Sequence, residues 1–378
     1  MPSTYQILLN GAPADSGFYD RISTLEIEEN ADMPGSLQLR IPISRNEDGE
    51  ISGVNEAGLQ PFDNIAVVVT PEEGTPGCIF DGFVLSHKIH MESAVRSSWL
   101  ELYAQDASWL MSLEEKAREW ANTTDSTTAS AIFSEYGFAP GPGNATDDSG
   151  VYSEDNHTLM QRGTDFDFLR GLARRAGRFF RVCCGPAAGA RIGVFAKPNV
   201  DSQSVATFRP NDAVAPNVSK MDFEWDIMRP TEARASQALF SDPSEQGASG
   251  DSTESGLTAL DERNLASFAV RPMQVILTTP ADDAGQLQRR TQALLRESQW
   301  FARCSGEADI ASLGKLLRAG DVASVETVGS VHSGKYLVWS VRHNIGQQSH
   351  KMNFQLVRNA MGPAAGGGGA GGLLGGLL

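Results

Sequence analysis

The chain has 378 residues, enough for two or three domains with cores of their own, because domains typically run about 100 to 200 residues. Its formal charge of -16 speaks against any role that rests on clustered Lys and Arg displacing counterions from a phosphate backbone, so no nucleic acid partner is expected. The start Met1-Pro2-Ser3-Thr4-Tyr5-Gln6 lacks the basic opening and apolar stretch of a secretory signal, and no run approaches the ~20 apolar residues that cross a bilayer, so no membrane anchor is expected either.

Residues 1–110 alternate apolar and polar side chains with the period of half-buried strands, in Tyr5 to Leu9, Thr24 to Glu28, Ser36 to Ile41, Ile65 to Val69, Ile79 to Met91 and Trp99 to Ala104. They predict a β-barrel or sandwich. Leu113 to Arg118 are good helix formers, and Asp125-Ser126-Thr127-Thr128 offers a cap for a helix over Ala129 to Tyr136. Between Gln161 and Val182, Thr164 and Asp167 have the spacing of a capping box, Asp165 suits the positive helix end, and Gly177 provides a left-handed stop before a strand from Phe179. Strand pattern resumes at Val205 to Phe208 and Met221 to Trp225. Ser241 to Thr258 reads as a mobile loop, and a second helix follows Thr279 and Pro280, with Asp282 and Asp283 in its first turn. Strands fill most of Cys304 to Arg358, and residues 362–378 form a Gly-rich flexible tail.

An internal repeat runs through this order. Phe83 to His90 parallels Tyr336 to His343, Trp99 to Ala107 parallels Asn353 to Ala360, and Phe62 to Ala66 parallels Gly320 to Ala323, which predicts two copies of one β-domain separated by insertions.

Little in the chain suggests chemistry. Cys78, Cys183, Cys184 and Cys304 have neither metal-knuckle nor disulfide-framework spacing, and Cys183 and Cys184 point to opposite faces of a strand. His87 and His90 are three apart in a strand, so they face opposite sides and share no metal. Asp165 and Asp167 could pair as acid and base, but the first turn of a helix stabilises carboxylates without catalysis. No nucleophile elbow, phosphate loop or zinc-protease motif is present. The expectation is a non-enzyme with no catalytic residues, cofactor or metal. Arg170, Arg174, Arg175 and Arg178 form a basic stripe on an acidic protein, readable as a solvated helix face or as a docking face for an acidic subunit.

The string Met160 to Gly177, MQRGTDFDFLRGLARRAG, resembles the signature of the phage late control protein D family, and Leu317-Arg318-Ala319-Gly320-Asp321 with Gly334 to Val338 and His343 is similar to its C-terminal part. The family includes baseplate hubs of contractile tails and the hub half of type VI secretion spike proteins. The resemblance spans about residues 5 to 361. It implies a mostly β, α+β fold of two tube-like antiparallel β-barrels with α/β insertions, assembling as a trimeric ring of pseudo-sixfold symmetry. The division it suggests is 1–110 for the first barrel, 111–204 for an α/β insertion, 205–240 with 300–361 for the second barrel, 241–299 for a loop and helix excursion, and 362–378 for the tail.

The implied function is a structural symmetry adaptor joining a sixfold inner tube to a threefold spike and expelled with them when the sheath contracts. Its partners would be its own trimer mates, the inner tube protein, a separate spike protein and other baseplate proteins. It would be assembled in the bacterial cytoplasm and end in a phage-tail-like particle. Leu373, Leu374, Leu377 and Leu378 of the tail are candidates for docking on the spike. The alternatives are a hub with cell-wall hydrolase activity and an extracellular glycan-binding β-protein.

Overall fold

The computed structural model describes residues 4–45, 47–54, 56, 58–72, 74–93, 98–145, 149–154, 158–237, 248–249, 251–278, 284–346 and 349–362. Ten strands in about the first half of the chain carry the first part of the frame and its insertion: β1 Thr4–Leu9, β2 Thr24–Asn30, β3 Ser36–Pro42, β4 Asn64–Thr70, β5 Gly77–His90, β6 Trp99–Asp106, β7 Glu115–Trp120, β8 Leu159–Thr164, β9 Phe179–Cys184 and β10 Arg191–Ala196. Helices α1 Asp125–Glu135 and α2 Asp165–Ala176 lie among them. The remainder contributes β11 Lys220–Trp225, β12 Glu232–Gln237, β13 Gln274–Leu277, α3 Ala284–Ser298, β14 Ala302–Asp309, β15 Val322–Val325, β16 Gly334–Ile345 and β17 His350–Arg358.

The fold is mostly β and is dominated by one 13-stranded sheet in the order β11-β14-β17-β16-β2-β3-β6-β5-β4-β1, with the short strand Ala12–Pro13 against β1, β15 against β16 and the short strand Thr207–Phe208 against β15. Strict alternation makes these strands: β2 and β3 bury every second residue, Leu25, Ile27 and Glu29 in one, Leu37, Leu39 and Ile41 in the other. The buried side chains form one core that runs through both ends of the chain, from Ile7, Ile27, Leu39 and Phe80 to Phe208, Tyr336, Phe354 and Leu356. Among the described residues the sheet does not close on itself.

The sheet consists of two halves with the same internal order, β2-β3-β6-β5-β4 and β11-β14-β17-β16-β15. Their likeness extends to backbone detail. Each long central strand is bulged at one site, β5 between Val84 and Ser86 and β16 between Val338 and Ser340. Val84 bonds to the backbone of Phe62 and Asp63, and Val338 bonds in the same way to Gly320 and Asp321. The carboxylates of Asp63 and Asp321 accept from the backbone N–H three residues earlier, Gln60 at 2.8 Å and Arg318 at 3.1 Å. Phe62 and Gly320 both have positive φ, 70° and 88°. Glycine suits that conformation, and a Cβ at Gly320 would lie 2.7 Å from the Arg181 guanidinium. Gly320→Ala is expected to cost about 1–2 kcal/mol in urea unfolding.

The insertion has its own core of Phe133, Leu169, Leu172, Phe180 and Phe195. Here the helix expected around Leu113 to Arg118 is absent: a 3-10 turn at Ala107–Ser112 leads into β7, paired antiparallel with β8. Helix propensity is a weak term, and the ladder together with the buried Trp120–Gln161 hydrogen bond of 3.0 Å outweighs it. The neighbouring helix α1 begins four residues earlier than expected, capped by Thr124, whose hydroxyl accepts from Thr127 N–H, with Asp125 in its first turn. Of the excursion, α3 is described, whereas its expected cap Thr279, Pro280, Asp282 and Asp283 lie outside the described residues. No helix among the described residues is long and apolar enough to cross a membrane.

Candidate functional site

The two halves meet along a seam where the last part of β16 pairs antiparallel with β2, Arg342 opposite Glu28 and Ile345 opposite Leu25. On the exposed side Arg342 bridges Glu28 at 2.8 Å. On the inner side Arg318 donates Nε to the buried Glu29 carboxylate at 2.6 Å, and Ala319 N–H reaches its other oxygen at 3.1 Å. Arg181, from β9 of the insertion, donates to the Ala319 carbonyl at 2.6 Å, so three parts of the chain converge on one turn. Burial alone would lower the Arg318 pKa, but the Glu29 charge beside it raises it overall. Burial also pushes the Asp106 and Asp321 carboxyls up to about 6.

Within the two half-sheets, two strand edges remain without a partner among the described residues. The outer edge of β11 is one. The other is the arm of β5 beyond its bulge, because β4 pairs with β5 only up to Phe83.

Helix α2 carries the cap its sequence promised, with Thr164 Oγ1 accepting from Asp167 N–H at 3.1 Å, the Asp167 carboxylate reaching back to the Thr164 hydroxyl at 2.8 Å, and Gly177 at φ 59°. Asp165 does more than favour the helix end. Buried, it accepts from Lys116 Nζ at 2.6 Å, Tyr136 Oη at 2.7 Å and Gln161 Nε2 at 2.6 Å. Burial alone would raise its pKa, but these donors bring it below the ordinary value. Asp165→Ala leaves Tyr136 Oη and Gln161 Nε2 without this acceptor and Lys116 with Glu135 at 3.2 Å, and a loss of about 2–3 kcal/mol in urea unfolding is expected.

The arginine stripe does not survive as one face. Arg178 is buried, donating to Ser126 Oγ at 3.2 Å and lying over the Phe195 ring. Arg175 is tied to Tyr152 Oη at 2.6 Å and to Asp125 at 3.1 Å. Arg178 is drawn under the insertion core by the turn after α2, whereas Arg175 stays half-buried with 28% of its side chain exposed. Arg174 is exposed and Arg170 half-buried beside Phe166, which leaves these two and part of Arg175 on a surface. Leu373, Leu374, Leu377 and Leu378 lie outside the described residues.

His87 is exposed, and His90 stacks on Trp99 with 39% of its side chain still exposed, beside Glu92 at 3.0 Å, so neither ring enters the core. The sequence reading missed a different pair. His343 Nδ1 and His350 Nε2 are 3.0 Å apart, both rings buried in the second half-sheet. Seven residues apart across a hairpin, they fall on one face, a signal the alternation could have given. The four cysteines are free thiols; Cys184 sits against Cys78, with its pKa raised by that contact and by burial, and burial pushes Cys304 up to about 12. No group of three or more His, Cys, Asp or Glu that could hold a metal occurs among the described residues.

The fold is that of phage tail proteins. The chain is similar to a tail protein from Neisseria meningitidis, with 13% identity, TM-score 0.65, and 95% of this chain and 97% of that one covered. It is similar to the 43 kDa tail protein of prophage MuSo2 from Shewanella oneidensis, with 12% identity, TM-score 0.62 and coverages of 95% and 99%. A third structure is an Escherichia coli component of the type VI secretion system, itself described as structurally similar to bacteriophage T4 tail proteins, with 12% identity, TM-score 0.56 and coverages of 95% and 79%. No curated protein matches the chain. A family model does match, from residue 3 to residue 347, and the chain belongs to that family, described as the Alg8 N-terminal domain.

Proposed function

We propose that the chain is a structural baseplate hub of a contractile, phage-tail-like injection machine, of the late control protein D kind. The observation that carries this reading is the duplicated half-sheet, with the same strand order, bulge and turn in each half, set in a tail-protein fold. Three copies would present six such units to a sixfold inner tube while keeping threefold symmetry toward a separate spike. Each half-sheet then forms one wall unit of a tube-like ring, with residues 111–204 outside it. Assembly takes place in the bacterial cytoplasm, and the hub leaves with tube and spike on contraction. Its work is mechanical, not catalytic. The fate of the one candidate acid pair supports this, because Asp165 is saturated by three donors and Asp167 closes a helix cap.

The mass of the purified chain in solution, with and without tube and spike proteins, tests the proposal. A trimer that joins both is expected. A strict monomer that joins neither overturns it.

A further inference from the structure

The insertion meets the first half-sheet through a buried pair of thiols. Its β9–β10 hairpin is held on β5 by the buried Asp81 carboxylate, which accepts from Gly189 N–H at 2.6 Å and from Arg191 Nη2 at 2.8 Å. This clamp brings Cys184, the last residue of β9, onto Cys78 near the start of β5. The Cys184 thiol donates to the Cys78 carbonyl at 2.8 Å and lies against the Cys78 thiol. The β4 pairing skips Ile79, since Val67 lies opposite Phe80 and Val68 opposite Cys78, so Cys78, Ile79 and Phe80 are buried in succession. We infer that Cys78 and Cys184 form an oxidation site for a hydroperoxide, which converts them to a disulfide that ties the insertion to the first half-sheet. Such a site follows from the fold alone, whether or not the chain is a hub.

The two thiols differ in access, and this assigns their roles. Cys184 lines a cavity of about 20 Å³ together with Glu29, Met33, Asp106, Arg181 and Arg318, whereas Cys78 is fully buried behind it. That volume holds about one water-sized molecule, so it admits hydrogen peroxide and excludes a bulky disulfide oxidant. Arg318 Nη2 donates to Cys184 Sγ at 3.4 Å and favours the reactive thiolate. Contact with the Cys78 thiol and burial oppose it and keep Cys184 protonated, so the reaction is slow.

The Cys184 sulfur attacks one peroxide oxygen. An S–O bond forms as the O–O bond breaks, and the departing hydroxide takes up the thiol proton and leaves as water. The product is the sulfenic acid of Cys184, its sulfur oxidised by two electrons and the peroxide oxygens reduced. The Cys78 sulfur then attacks the Cys184 sulfur, the S–S bond forms as the S–O bond breaks, and hydroxide leaves with the Cys78 proton as a second water. One peroxide and two thiols thus give one disulfide and two waters. Cys183 cannot replace Cys78, because adjacent residues of a strand face opposite sides. The two linked positions are 106 residues apart, and closing so long a loop restricts the unfolded chain far more than the folded one. On the hub reading, a chain assembled where thiols stay reduced and later released acquires this tie only after release.

The test treats the purified full-length chain with hydrogen peroxide until the exposed Met228 is converted to its sulfoxide, then alkylates the chain in urea and maps its cysteines by peptide mass. A peptide pair joined through Cys78 and Cys184 is expected, at least about tenfold more abundant than any other cysteine pair, with Cys183 alkylated. The oxidised chain should unfold at a urea midpoint higher by about 0.5 M or more, and dithiothreitol should reverse the shift. Cys183→Ser should form the link as the parent does, and Cys78→Ser should stop at the Cys184 sulfenic acid, trapped by dimedone. Should Cys78→Ser fail to fold, the parent peptide map decides by itself. Cys184 recovered as a free thiol at that dose, oxidised to the sulfinic acid beside a free Cys78, or joined to Cys183, Cys304 or another copy overturns the site. None of these outcomes bears on the oligomer mass that tests the hub reading.

Discussion

Replacing Arg318 with alanine is expected to destabilise the protein by about 3 kcal/mol, because it leaves the Glu29 carboxylate buried without its cationic partner. The pair links positions 289 residues apart, with Arg318 Nε 2.6 Å from Glu29 Oε1, and the half-sheets meet at this point. Among the described residues Glu29 then retains the Ala319 N–H at 3.1 Å, a single donor for a charge taken out of water. Removing both charges should hurt less: Glu29→Leu added to Arg318→Met is expected to be less destabilised than Arg318→Ala alone, since a buried ion pair contributes little over a packed apolar pair. Urea unfolding of the three proteins checks this. An Arg318→Ala cost below about 1 kcal/mol would mean that Glu29 is rehydrated on losing its partner.

Much of the frame was legible in the sequence because half-buried strands write their period directly. Thr24 to Glu28, Ser36 to Ile41 and Trp99 to Ala104 alternate without interruption, and all three are strands. The α2 boundaries were legible for the same local reason, Thr164 and Asp167 at one end and Gly177 at the other. What failed was anything decided by tertiary contact. Leu113 to Arg118 are good helix formers, yet a ladder to β8 makes β7 a strand. Arg178 reads like Arg174 until the turn after α2 carries it under Phe195. The seam could not be read at all, because pairing of β16 with β2 depends on two insertions bringing distant segments together, and no local pattern encodes that. The repeat was visible, but its register was not: the two bulges equate Ser86 with Ser340, one residue away from the alignment that places His90 on His343.

The buried histidine pair leads to the strongest pH effect expected here. His343 and His350 face each other at 3.0 Å within the core, so one ring nitrogen must donate to the other, and two imidazolium ions cannot share the site. Burial holds His350 down to about 4 from an ordinary 6.5, and burial together with the neighbouring His350 holds His343 well below its ordinary value. In the unfolded chain both rings take up a proton below about 6.5, while in the fold His350 refuses it until near 4 and His343 is likewise held below its ordinary value. The unfolded state therefore binds more protons in this window, and the histidine contribution to stability is lost as pH falls through it.

For His350 alone the loss is roughly 3 kcal/mol between neutral pH and pH 4. Asp106 and Asp321 act in the opposite sense. With folded values near 6, they bind protons more readily in the folded state than in the unfolded one, so their contribution rises as the pH falls. The raw stability curve therefore mixes two opposed slopes, and the histidine part is isolated only by difference. Relative to a His343→Leu, His350→Met double variant, the parent is expected to lose about 3 kcal/mol or more on going from neutral pH to about pH 4, measured by urea unfolding at each pH. A difference that stays flat across this window would show that the rings are already solvated in the native fold, and that this corner of the second half-sheet is open.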